Sequence, residues 1–173
     1  MSRGIVLWPD ASTGAAVRSI WRELEAAGLP SLETHTHRLH QPHVSLVVAD
    51  RLEAEAAAAA VGRLPEVQIP CRVEAAAFFP GGFLILPLVP NVELLHEQQR
   101  VSVSAGDLAI GRWEHTQPGK WSPHITCAYA LTPDQAGAAL AIAIRHLPLA
   151  GYLTTGGVED GTTGENWPSP TAP

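Results

Sequence analysis

Cysteine and lysine are scarce in this 173-residue chain. The two cysteines, Cys71 and Cys127, have no partner at CxxC spacing. That excludes a disulfide framework and a thiolate zinc site. Cys127 falls on the core side of an apolar run and reads as a buried thiol. Lys120 is the only lysine, and the formal charge is −6. A broad basic surface for long duplex nucleic acid is therefore excluded, while a small pocket for a nucleotide or an oligonucleotide end is not. No apolar run approaches the roughly 20 residues of a membrane span. The apolar part of the N-terminus is shorter than the core of a signal peptide. The expectation is a cytoplasmic monomer without membrane contact.

The chain is 46% hydrophobic and 16% charged, which suits one globular domain with a real core. Residues 4–8 read as a strand. Ser12 or Thr13 is the candidate cap of a helix in which Val17, Ile20, Trp21 and Leu24 share a face. Residues 44–49 read as a second strand, and Asp50 with Glu53 as the start of an alanine-rich helix. Residues 67–78 and 83–89 form two strand-like runs, joined as a hairpin by Pro80-Gly81-Gly82. Asn91 is placed to cap a third helix through about residue 99. Residues 106–119 read as a loop or irregular strand around Trp113. Residues 124–130 read as a strand. Thr132-Pro133-Asp134-Gln135 opens a helix with Ala136, Leu140, Ala143 and Leu147 on one face. Residues 149–155 read as a last strand. The domain is expected to span residues 1–156, with 157–173 a flexible tail that Trp167 alone could pin back.

Two tripeptides stand out: His43-Val44-Ser45 and His124-Ile125-Thr126. Each follows a proline, opens an apolar run and leads into a helix start. Residues two apart on a strand share a face. Each segment therefore presents an imidazole beside a hydroxyl, with Val44 or Ile125 turned into the core. The repeated strand-to-helix pattern suggests two related lobes about a pseudo-twofold axis, with the motif strands facing each other. A His-x-Ser/Thr tripeptide is weak evidence alone; the shared context makes the pair specific.

On Pro42-His43-Val44-Ser45-Leu46 and Pro123-His124-Ile125-Thr126-Cys127 the chain resembles the 2H phosphoesterases, the group with the RNA 2',3'-cyclic phosphodiesterases, or 2'-5' RNA ligases. The resemblance implies an α+β fold: duplicated αβ lobes with antiparallel sheets flanking a central groove. It implies catalysis by His43, Ser45, His124 and Thr126 with no metal or cofactor. Many RNA ligase-like members carry an arginine where Tyr129 stands here, and threonine is commoner than serine at the position of Ser45.

Histidine titrates near neutrality, so two imidazoles flanking one phosphorus can supply the base that activates water and the acid that protonates the leaving ribose oxygen. His124 is assigned as base and His43 as acid; the symmetry leaves the reverse open. Ser45 and Thr126 would donate to the non-bridging oxygens. The expected activity is hydrolysis of 2',3'-cyclic phosphates of RNA ends or nucleotides, or of a related 2'-5' linkage. Arg38, Phe79, Lys120 and Trp121 are candidate substrate-binding residues, Phe79 as a base-stacking ring beside the groove. Phe78 and Trp113 are further stacking candidates. The alternatives are a non-catalytic nucleotide or RNA-end binding module, and a metallohydrolase built on the cluster His35, His37, His40 and His43, in which His35 and His37 would share a face of an extended segment. The last lacks a completing carboxylate or thiolate nearby, and the segment reads better as the approach to the first motif.

Overall fold

The computed structural model describes residues 2–61 and 68–168. Strand β1 (Arg3–Pro9) buries residues 4–7 and leads into α1 (Ala11–Ala26), whose buried face is Thr13, Val17, Ile20, Trp21 and Leu24. The cap is Asp10, not Ser12 or Thr13: its carboxylate accepts the Thr13 amide at 2.9 Å and the Tyr152 amide at 2.6 Å. A carboxylate satisfies both amides where a hydroxyl would satisfy one, and it ties α1 to a distant strand. A Cβ at Gly151 would lie 2.1 Å from Thr13 Oγ1, so only glycine lets that strand approach the cap.

Strand β2 (Val44–Leu52) runs past the expected end at residue 49, and α2 (Ala54–Val61) follows. Asp50 is therefore a strand residue and not a helix cap. Pairing with β6 (Ala109–Arg112) prolongs β2, and Asp50 accepts the Trp113 Nε1 proton at 2.9 Å. The expected run 67–78 divides into β3 (Ile69–Val73) and β4 (Ala77–Phe79), which belong to different sheets. Alternate burial holds from Ile69 to Val73 and then lapses, so the chain is free to change sheets. Val67 lies outside the described residues. The expected hairpin joins β4 to β5 (Phe83–Pro87).

Asn91 caps α3 (Val92–Ala105), accepting the Leu94 amide at 2.8 Å. The helix outlasts the expected end near residue 99 because Val101, Ser102 and Ala105 continue its buried stripe. Strand β7 (His124–Ala128) is followed by α4 (Pro133–Ile144), opened by the Thr132–Gln135 capping box. Strand β8 (Leu149–Asp160) crosses the expected domain boundary at residue 156, and β9 (Asn166–Pro168) pairs with it. Residues 157–160 and 166–168 are thus part of the sheet and not a tail. Val158 lies fully inside the core, Trp167 pairs with it, and the Arg3 guanidinium sits 5.1 Å from the Trp167 ring. Residues 169–173 lie outside the described residues.

All described strand pairings are antiparallel. One sheet has the order β3-β8-β1-β2-β6, with β9 on β8; the other has the order β4-β5-β7. Helix α1 packs on β1 and β8 of the first and on β7 of the second. A single apolar core joins them, with Leu46, Leu84, Leu86 and Ile125 sealed from solvent. The architecture is the expected α+β pair of antiparallel sheets. Its lobes are unequal in strand number but place one motif strand in each sheet.

Candidate active site

Both motif strands alternate as their sequences require. Pro42, Val44, Pro123 and Ile125 are buried; His43, Ser45, His124 and Thr126 are half-buried. Each proline favours extended backbone in the residue before it and leads directly into the motif. Burial of Val44 and Ile125 then locks the face, because a one-residue slip would move these side chains to solvent and the histidines inward.

The two imidazoles are held by the same device. His43 Nδ1 donates to the Gln41 carbonyl at 2.8 Å, and His124 Nδ1 donates to the Ser122 carbonyl at 2.7 Å. A carbonyl only accepts, so Nδ1 carries the proton in each ring and Nε2 is the nitrogen free for proton transfer. Among the described residues neither Nε2 has a protein partner, nor do the hydroxyls of Ser45 and Thr126.

Strands β2 and β7 lie near each other but in separate sheets, so side chains join them. Trp121, just before the second motif, donates its Nε1 proton to the Ser45 carbonyl at 2.8 Å. Buried Gln98 of α3 bridges the carbonyls of Leu46 at 3.3 Å and Thr116 at 2.8 Å. The Trp113 amide donates to the Val48 carbonyl at 2.8 Å. These groups serve the part of β2 that β6, which pairs only from Ala49 onward, does not reach. In the second sheet, Gly82 (φ 77°) brings the β4–β5 turn against residue 131, where a Cβ would lie 2.3 Å from the Leu131 carbonyl oxygen.

The electrostatic surroundings of the two histidines differ. Burial opposes the charged form of His43, yet the Glu159 carboxylate and the Gln41 carbonyl outweigh it, and its pKa is raised. Glu159 Oε2 lies 3.0 Å from His43 Nδ1, and the His43 side chain is 26% exposed. His124 is shifted the other way. Burial lowers its pKa; the Ser122 carbonyl opposes this, and the charges of His43 and His115 add to the lowering. The edge of Phe79 packs on His124 with ring centroids 4.8 Å apart. Phe79 is thus beside a motif histidine.

The other candidates fall as follows. Arg38 is exposed, in left-handed backbone (φ 61°). Lys120 is exposed and forms an ion pair with Glu114. Trp121 is half-buried and faces Ser45 through its indole nitrogen. Phe78 and Trp113 are among the exposed large apolar side chains.

The segment of His35, His37 and His40 begins beside β7, where the Leu32 amide donates to the Cys127 carbonyl at 3.1 Å, and ends at β2. Its rings pack together: His37 lies tilted on His40 with centroids 4.0 Å apart, and His35 stacks on Tyr129 at 4.6 Å. Among the described residues no group of three or more His, Cys, Asp and Glu is arranged to hold a metal ion. A shallow concavity elsewhere, lined by Glu74, Ala76, Ile144, Leu147 and Pro148, contains none of the motif side chains.

Glu159 is the site residue that sequence reasoning missed. It lies in a stretch read as tail, where no apolar alternation marks a strand, although residues 156–160 are buried without a break. Burial alone would raise its pKa; the nearby His43 and His40 imidazoles bring it down to about 2.

The chain resembles known proteins at both sequence and fold level. A family model, that of the 2'-5' RNA ligase superfamily, matches residues 9–154. A solved structure described as "Crystal structure of phosphoesterase" superposes with a TM-score of 0.57 at 16% identity, covering 97% of this chain and 93% of that one. None of the curated protein sequences matches. The family match spans most of the chain, includes both motif strands, and agrees with the shared fold: this protein belongs to the 2'-5' RNA ligase superfamily, the 2H phosphoesterases.

Proposed function

We propose that the protein is a phosphodiesterase that opens 2',3'-cyclic phosphates of RNA ends or nucleotides, or cleaves a related 2'-5' linkage, by two-histidine acid/base catalysis. The observation that carries this reading is the matched anchoring of His43 and His124. Two half-buried imidazoles on neighbouring strands are both tied through Nδ1, which leaves both Nε2 atoms for chemistry. In the reaction, water oxygen bonds to phosphorus while its proton passes to His124 Nε2. The bond from phosphorus to the ribose oxygen breaks, and that oxygen takes the proton of His43 Nε2. Proton exchange with solvent resets both rings. Ser45 and Thr126, half-buried beside the two rings, would donate to the non-bridging oxygens as charge builds there. The opposite pKa directions of the histidines favour His124 as base and His43 as acid.

The test is a panel of 2',3'-cyclic nucleotides, RNA ends bearing a cyclic phosphate, and 2'-5' dinucleotides. His43→Ala and His124→Ala should each lower kcat/KM by about 10²–10⁴-fold, the value of one positioned proton transfer. Turnover should persist in EDTA. Unchanged turnover in either variant refutes the reading. Tight binding without turnover by the wild type would make the protein a binding module.

A further inference from the structure

The motif pair is symmetric in sequence and asymmetric in its surroundings. A buried charge is tolerated where it meets a partner. The Glu159 side chain is 5% exposed, and its Oε2 lies 3.0 Å from His43 Nδ1. Its Oε1 lies 3.8 Å from His40 Nδ1, and His40 Nε2 is in turn 3.0 Å from Thr36 Oγ1. The carboxylate is thus held from its far side. His124 has no carboxylate partner among the described residues; it meets a neutral carbonyl and the edge of Phe79.

We propose that Glu159 is a positioning residue that makes His43 the acid of the pair, by setting a buried carboxylate 3.0 Å from its ring that offsets the positive charge of the imidazolium, while the Gln41 carbonyl accepts the Nδ1 proton. This rests on the two-histidine reading above. The other groups facing the pair do not undo it. Arg3 is spent on Asp160 and the Leu52 carbonyl. His40 shares the Glu159 carboxylate, and His37 packs tilted against His40. Tyr129 feels the Glu159 charge, which with burial keeps its phenol protonated. His124, the remaining neighbour, is pushed toward neutrality by burial, so it adds little repulsion when His43 is charged. The directions agree: His43 holds its proton above the ordinary histidine range and His124 loses its proton below it. The window in which one is charged and the other neutral is therefore wider than for two ordinary histidines.

The experiment is an NMR titration of the imidazole resonances of wild type, Glu159→Gln and Glu159→Asp, paired with pH profiles of kcat/KM on a 2',3'-cyclic nucleotide. In the wild type, His43 should titrate above an ordinary histidine and His124 below. Glu159→Gln should move the His43 titration and the alkaline limb of the profile to lower pH, leave the acid limb in place, and be partly rescued by Glu159→Asp. A wild-type His43 that titrates at or below the ordinary value overturns the proposal, and needs no variant to fold. So does a Glu159→Gln variant that loses activity equally at every pH, which is the mark of a merely structural residue. If the titrations shift as expected but the wild type turns over none of the panel, the reading of the site as an enzyme fails while the coupling of Glu159 to His43 stands.

Discussion

Replacing Trp121 by Phe removes one hydrogen-bond donor and little apolar surface. In the wild type its Nε1 spans 2.8 Å to the Ser45 carbonyl, joining the approach to one motif with the strand of the other. Losing a neutral hydrogen bond costs about 0.5–1.5 kcal/mol, and leaving the carbonyl unpaired raises this to about 1–3 kcal/mol. For a domain of this size that corresponds to about 2–12 °C in Tm. The functional cost should exceed the stability cost. The bond crosses between sheets that share no strand pairing at this point, so its loss lets β2 and β7 drift. A misplacement of about 1 Å between catalytic groups can cost about 10²-fold in rate. The assay is a urea melt together with kcat and KM measured well below the melting temperature. The expected pattern is modest destabilisation with a larger fall in kcat. A variant that melts and turns over like the wild type would show that this bond does not set the distance between the motifs.

Two further outcomes follow from the packing and charge of the same site. Ile125→Ala, at a side chain 1% exposed between the two motif hydrogen-bonding residues, should destabilise the fold by about 2–5 kcal/mol in denaturant melts. In acid, Glu159 contributes stability that is complete above its unfolded pKa of about 4.3 and is lost as pH falls toward its native value of about 2. The His43 contribution has the opposite sign: it is present below about 6.5 and lost as pH rises through the raised native pKa. Stability curves of wild type and Glu159→Gln should therefore converge in strong acid and separate toward neutrality; parallel curves would contradict the pairing.

Local rules were readable where one element decided the outcome. The Thr132–Gln135 box, the Asn91 cap and the Val17–Leu24 face depend on neighbours within a turn or two, and they stand as read. Reading failed where a distant partner outvoted the local signal. Asp50 looks like a cap until β6 extends β2 past it. Ser12 and Thr13 look like caps until Asp10 is seen holding both α1 and β8. Residues 157–160 look polar and loose because the buried carboxylates of Glu159 and Asp160 are compensated by the distant His43 and Arg3 and not by apolar neighbours in sequence.

The motif strands, their shared face and the identity of the two imidazoles and hydroxyls were determined by sequence alone, because a period of two and a buried residue between each pair admit one orientation. Only the tertiary structure decided that the histidines are unequal. Glu159 reaches His43 across many intervening residues, and a carboxylate acts on a proton through distance and burial, neither of which is written in the order of the chain.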